Sequence, residues 1–196
     1  MKILATTTLF SAVSALVLIM ASDSIAADDS TLWSALAEGG KVVMIRHTQS
    51  EDAPPEVSMH LSAERDCTRE QNLSEEGRQH ARALGVLFQE QGIEVDAVMS
   101  SEFCRARETA ELAFGEYDAW LPLNLLEALP ADESEWLMED VRETIGDFDG
   151  EGVLVLVSHR SNINTISFQQ TEPGNIVVME PNALGGFSVL GLITQQ

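Results

Sequence analysis

Val153-Leu154-Val155-Leu156-Val157 is a run of five apolar residues with valine at every second position. A strand with two apolar faces has no side to turn to water, so it belongs inside a sheet covered on both faces. Lys41-Val42-Val43-Met44-Ile45 is a second run of this kind. Strands of this type separated by helical patterns point to an α/β fold, a mainly parallel sheet flanked by helices on both faces.

The intervening patterns agree. Ser30-Thr31 is placed to cap a short helix through Ala37, ended by Gly39-Gly40. Ser74 is a candidate N-cap, with Glu75 and Glu76 in the first turn where the helix dipole favours carboxylates, and Gln91-Gly92 marks the stop. Val95 to Met99 reads as a strand, followed by a helix through Arg105, Thr109 and Leu112 to Gly115. From Asp132 to Ile145, the residues Trp136, Leu137, Val141 and Ile145 are spaced for one helical face. A helix near 161–168 and strands at 175–179 and 187–193 close the chain. The polar segment from Thr48 to Asn72 is long for a connection, and such loops are usually functional or disordered.

A chain of 196 residues suits one domain. Its first residues stand apart: Met1-Lys2 is followed by an apolar stretch, Ile3 to Met20, and by Ser24-Ile25-Ala26 with small residues at the two positions a signal peptidase reads. The expected organisation is a signal peptide over 1–26 and a single domain over 27–196, in a periplasmic or secreted protein. An uncleaved anchor is the alternative, the stretch being near the lower limit for a membrane span. Export would expose Cys67 and Cys104 to an oxidising compartment, where two thiols tend to pair. The rival role for these sulfurs is zinc ligation, against which stands the lack of any Cys-x-x-Cys pair.

Charge excludes partners. Eleven Lys plus Arg against 32 Asp plus Glu give a formal net charge of −21. A chain this acidic is repelled by a phosphate backbone and by anionic membrane surfaces. No nucleic acid, and no membrane once the leader is removed, is expected among its partners. Yet its scarce cations are not scattered. Arg46-His47 ends the first strand, Arg105 and Arg107 follow Ser100-Ser101 at the end of the second, and Ser158-His159-Arg160 follows the strongest strand. In open α/β sheets ligands bind beyond the carboxyl ends of the strands. Guanidinium forks recognise phosphate, and an imidazole beside them has the makings of a nucleophile facing an anionic electrophile.

These residues resemble the histidine phosphatase superfamily, of phosphoglycerate-mutase-like fold. Val43-Met44-Ile45-Arg46-His47-Thr48 is similar to its Arg-His-Gly opening, and Leu73-Ser74-Glu75-Glu76-Gly77 to its Leu-Thr/Ser-x-x-Gly helix start. Ser100-Ser101-Glu102-Phe103-Cys104-Arg105-Ala106-Arg107-Glu108-Thr109-Ala110 is similar to its Ser-Ser-x-x-x-Arg-x-x-x-Thr-Ala block, and Val155 to His159 to its closing strand and histidine. The resemblance runs in order from about Lys41 to Pro181. It implies a three-layer sandwich and a two-step phosphoryl transfer from a small phosphorylated substrate. His47 would carry a phosphohistidine, and Arg46, Arg105 and His159 would hold the phosphoryl oxygens. No metal or other cofactor is implied, guanidinium and imidazolium charge taking that role. Glu127, in Leu125-Leu126-Glu127, matches the usual general acid, with Asp132 or Glu133 as alternatives.

Two departures accompany the resemblance. Thr48 replaces the usual glycine after the nucleophile, and its hydroxyl could donate to a phosphate oxygen. The family's long insertion after the second block is short, which favours a phosphatase over a mutase. Ser158, Arg65 and Arg69 are further candidate substrate contacts, although the two arginines could equally pair with Glu64, Asp66 or Glu70. A Cys67–Cys104 bridge would pin the long loop beside Arg105. The expectation is a monomeric phosphomonoester hydrolase; a non-catalytic phosphate binder of the same fold and a phosphomutase are the alternatives.

Overall fold

A computed structural model describes residues 28–63 and 66–195. The expected signal peptide and Arg65 lie outside the described residues. In chain order the elements are α1 (Asp29–Ala37), β1 (Lys41–Arg46), α2 (Pro55–Ser58), α3 (Glu75–Glu90), β2 (Val95–Ser100), α4 (Cys104–Phe114), β3 (Asp118–Ala119), α5 (Ala131–Gly146), β4 (Val153–Ser158), α6 (Arg160–Ser167), β5 (Ile176–Pro181) and β6 (Phe187–Ile193). Single 3-10 turns occupy Cys67–Arg69, Leu121–Leu123 and Leu126–Ala128.

The six strands form one sheet in the order β3-β2-β4-β1-β5-β6. The central pairs β2–β4 and β4–β1 are parallel, whereas β5 runs antiparallel to both β1 and β6. The sheet is thus mainly parallel. Its two covered faces follow from the period-two alternation of strand side chains. Val43, Ile45, Val153, Val155 and Val157 pack with Leu36 of α1, Leu84 and Phe88 of α3, and Ala110 of α4. Val42, Met44, Leu154 and Leu156 pack on the other side with Met138, Val141 and Ile145 of α5 and Ile163 of α6. All six residues of β4 are buried, as its sequence requires.

Three readings need adjustment. Asp28, rather than Ser30 or Thr31, caps α1, its carboxylate accepting the Thr31 N–H at 2.8 Å. Trp136 is 76% exposed, because α5 docks through Met138, Val141 and Ile145, which leaves position 136 on the outer side of the helix. The segment 48–72 is no featureless loop, since α2 and the turn at Cys67–Arg69 organise it. Among the described residues, no helix is long and apolar enough to cross a membrane.

Candidate active site

Strand register brings the chemistry together. Arg46 of β1 is the register partner of Ser158 of β4, so His47 and His159 leave neighbouring strands side by side, ring centroids 5.3 Å apart. The His47 N–H donates to the Ser158 carbonyl at 3.0 Å, and the Ser101 N–H to that of Val157 at 2.9 Å. Three strand ends are thereby held at one edge of the sheet. Arg105 rises from the first turn of α4 and is 3% exposed. With Arg46, His47, His159, Glu127 and Arg160 it lines a cleft of about 260 Å³.

The protonation of His47 is set by its neighbours. Nδ1 lies 2.9 Å from the Thr48 carbonyl, which can only accept, so Nδ1 carries the proton and Nε2 the lone pair. Nε2 accepts from Arg105 Nε at 3.3 Å. Burial, reinforced by Arg105, pushes the His47 pKa down to about 3. The ring is therefore a neutral base at physiological pH.

The guanidinium groups are under-used. Arg105 Nη1 and Arg46 Nε are buried without a hydrogen-bond partner. Arg46 Nη1 is anchored on the Thr171 carbonyl at 2.6 Å, with Glu172 at 3.8 Å. Burial lowers the Arg105 pKa to about 10, which leaves it charged at neutral pH. Buried donors left without partners are costly, and here both belong to arginines that line the cleft with His47. That is the arrangement of a site for an anion bearing several oxygens.

His159 is fixed by a polar network that none of the motifs announces. Arg105 Nη2 donates to its Nδ1 at 3.4 Å, and Nε2–H donates to Ser101 Oγ at 2.9 Å. Ser101 Oγ accepts from the Phe103 N–H and donates to Asn124 Oδ1 at 3.0 Å. The Asn124 amide is oriented in turn, its Nδ2 donating to the Glu102 carboxylate at 2.9 Å. Asn162 Nδ2 donates to the Asn124 carbonyl at 2.7 Å. Phe103 meets the His159 ring edge-on at 5.1 Å and lies 4.7 Å beneath the Arg105 guanidinium. Burial, then the charge of Arg105, holds the His159 pKa well below its usual value.

Other expected contacts fall elsewhere. Thr48 is fully buried and faces away from the cleft, its Oγ1 donating to the Gly77 carbonyl at 2.9 Å while its N–H donates to Thr109 Oγ1 at 3.1 Å. It replaces the motif glycine without narrowing the pocket, and it ties the loop after β1 to α3 and α4. Gly77 must lack a Cβ there, because one would run into the Gln49 carbonyl. Ser158 is also turned inward, donating to the Leu123 carbonyl at 2.7 Å. Arg69 is exposed and does not line the cleft; the pKa of nearby Asp66 is lowered chiefly by hydrogen bonds from Thr68 and only lastly by Arg69. Glu127 does line the cleft, its carboxylate accepting from Ser161 Oγ at 2.7 Å. The alternatives Asp132 and Glu133 sit in the first turn of α5, outside that lining.

Cys67 and Cys104 are bridged, Cα atoms 5.7 Å apart, so neither sulfur is available as a zinc thiolate. Beside the bridge is a residue that the sequence offers only as a possible partner for Arg65 or Arg69. Glu70 is 4% exposed and joins the loop to α4, accepting from the Ser62 and Cys104 N–H groups at 2.9 Å each. It caps the helix that carries Arg105, and its charge favours the protonated guanidinium.

Residues 42–136 match the histidine phosphatase superfamily, branch 1. That segment is just under half of the chain, and it is to this superfamily that the chain is similar. A 2,3-bisphosphoglycerate-dependent phosphoglycerate mutase of Lactobacillus acidophilus is 37% identical over 83 residues, which is 42% of this chain and 33% of that protein. The match spans only about a third of the relative's length. Among solved structures, the alpha-ribazole phosphatase of Shigella flexneri superposes with a TM-score of 0.58 at 14% identity, covering 80% of this chain and 100% of that one. The protein histidine phosphatase SixA, solved with tungstate, gives a TM-score of 0.54 at 14% identity over 79% and 96% of the respective chains. At these identities the two structures establish the histidine phosphatase fold alone.

Proposed function

We propose that this protein is an exported, metal-independent phosphomonoester hydrolase that works through a phosphohistidine on His47. The observation that carries the reading is that Arg105 and Arg46, each with a buried unpartnered guanidinium nitrogen, line one cleft with a neutral, oriented His47. Nε2 attacks phosphorus while Arg46, Arg105 and His159 hold the non-bridging oxygens, and charge spreading in the transition state meets donors already in place. His159 takes onto Nδ1 the proton that a monoanionic phosphomonoester brings, because its Nε2–H is committed to Ser101, and returns it to the phosphate on release. Protonated Glu127 gives its proton to the leaving oxygen. The resulting carboxylate then takes one from the water that splits the P–N bond, releasing phosphate and restoring His47.

Export rests on the apolar N-terminal stretch and on the Cys67–Cys104 bridge, which suits an oxidising compartment. The test is phosphate release from an aryl phosphate by the 27–196 protein in EDTA. Wild type should turn over and His47→Ala should not. A need for added metal, or wild-type turnover by the variant, contradicts the mechanism. Transfer to a second hydroxyl instead of water is the other reading, supported by the mutases to which part of the chain is similar. Phosphorylated product without free phosphate would favour it.

A further inference from the structure

We propose that Arg160 is a second anion contact of this site, so that the natural substrate carries another anionic group, a carboxylate or second phosphate, close to the phosphoryl group that leaves. The proposal rests on the phosphatase reading above and names its substrate class.

Arg160 directly follows His159 as the first residue of α6. Its side chain is exposed and lines the mouth of the cleft whose floor is His47, Arg105 and His159. In a chain with 32 acidic residues, carboxylates close on Arg46, Arg78 and Arg142 within 4.0 Å, and of the described arginines on which none closes, only Arg105 and Arg160 line this cleft. The acids nearest the mouth are engaged elsewhere: Glu127 accepts from Ser161, and Glu172 lies 3.8 Å from Arg46.

The charge count at the site points the same way. One phosphoryl group offers three non-bridging oxygens, which Arg46, Arg105 and His159 already match. Arg160 is a cation in excess of that need. It is close enough to Arg46 to depress its pKa, second only to burial as a cause. Like charges placed together are unfavourable until an anion lies between them.

The rest of the mouth suits a small polar substrate. Leu125 is the single apolar residue of the lining, so no platform awaits an aryl or acyl group. A cleft of about 260 Å³ is below the usual range for drug-sized ligands, and it encloses little beyond the phosphoryl group and its nearest atoms.

The test compares matched pairs that differ in one charge: phosphoglycolate against 2-hydroxyethyl phosphate, and propane-1,3-diol bisphosphate against its monophosphate. The quantity read is the ratio of kcat/KM within each pair, for wild type and Arg160→Gln. Wild type should favour the charged member of at least one pair by about tenfold, the order of one charge-assisted hydrogen bond, and the variant should bring that ratio close to one. The first pair reports a carboxylate, the second a phosphate. Ratios near one in wild type, or ratios unchanged in Arg160→Gln, overturn the assignment while leaving aryl-phosphate turnover intact. Absence of turnover on every phosphate, aryl phosphate included, is instead failure of the phosphatase reading. Calorimetric binding of the same pairs to His47→Ala, with and without Arg160→Gln, then still decides on Arg160.

Discussion

At the scale of residues, the site depends on two imidazoles kept neutral by burial. The linkage has a definite sign. Folded His47 resists protonation down to about pH 3, whereas an unfolded histidine titrates near 6.5. Between those values the unfolded chain binds more protons, so stability is fully present above about pH 6.5 and falls as pH drops toward 3. His159, also depressed, adds to the fall. The urea midpoint should therefore decline between pH 7 and pH 5, and His47→Gln should make that decline shallower. Parallel pH profiles for wild type and variant would contradict it. Asn124 is a positioning residue: Asn124→Ala frees Ser101 Oγ to turn its proton toward His159 and disturbs the Nε2–H tautomer. The expected result is a fall in kcat of roughly 10–100-fold, in keeping with losses seen when an orienting partner is removed, with KM little changed. An unchanged kcat, with the pH profile intact, would reduce the network to a structural role.

Much of this is legible in the sequence at residue scale, and the limits have physical causes. Arg46, His47 and His159 can be read as neighbours because strand register places strand-end residues side by side, and Arg105 because α4 starts directly after β2. Thr48 and Ser158 mislead because a hydroxyl at a strand end has backbone carbonyls on its other side, and here both hydroxyls donate to them. The roles of Glu70, Phe103 and Asn124 leave no trace, since their partners are distant in sequence and appear only once the chain has closed.

At the scale of elements, the segment between β1 and α3 is held to α4 from several directions. The Cys67–Cys104 bridge and Glu70 clamp its far end, and Thr48 clamps its start through Gly77 and Thr109. A cross-link spanning 37 residues restricts the unfolded chain. Cys67→Ser with Cys104→Ser should lower stability by about 3–4 kcal/mol in the chain-entropy account, read from urea unfolding. Glu70→Gln keeps the acceptor for one N–H but removes the charge beside Arg105, so phosphate affinity should change more than stability does. Helix α5 shows where pattern reading stops: four apolar residues can be placed on one stripe, yet docking selected Met138, Val141 and Ile145 and left Trp136 in solvent.

At the scale of the whole molecule, the net charge of −21 and the cationic cleft oppose one another. The surface repels an anionic substrate over a range that salt shortens, to about 10 Å at 0.1 M. Within the cleft the guanidinium groups dominate at contact. Raising ionic strength from a low value should therefore increase kcat/KM modestly before specific anion competition sets in. A flat or falling response from the lowest salt would mean that the cleft's field already outweighs that of the surface. The three-layer sandwich needs none of this acidity, since its two cores are sealed by apolar side chains from five helices and the central strands.

The covalent step proposed on His47 is open to direct measurement. The 27–196 protein is mixed with a radiolabelled phosphomonoester, quenched in denaturant at alkaline pH where phosphohistidine survives, and mapped by peptide. Label on the peptide carrying His47, lost in acid and absent from His47→Ala, is the expected result. Steady release of phosphate with no label on that peptide at any quench time, or label retained by His47→Ala, would contradict a phosphohistidine on His47.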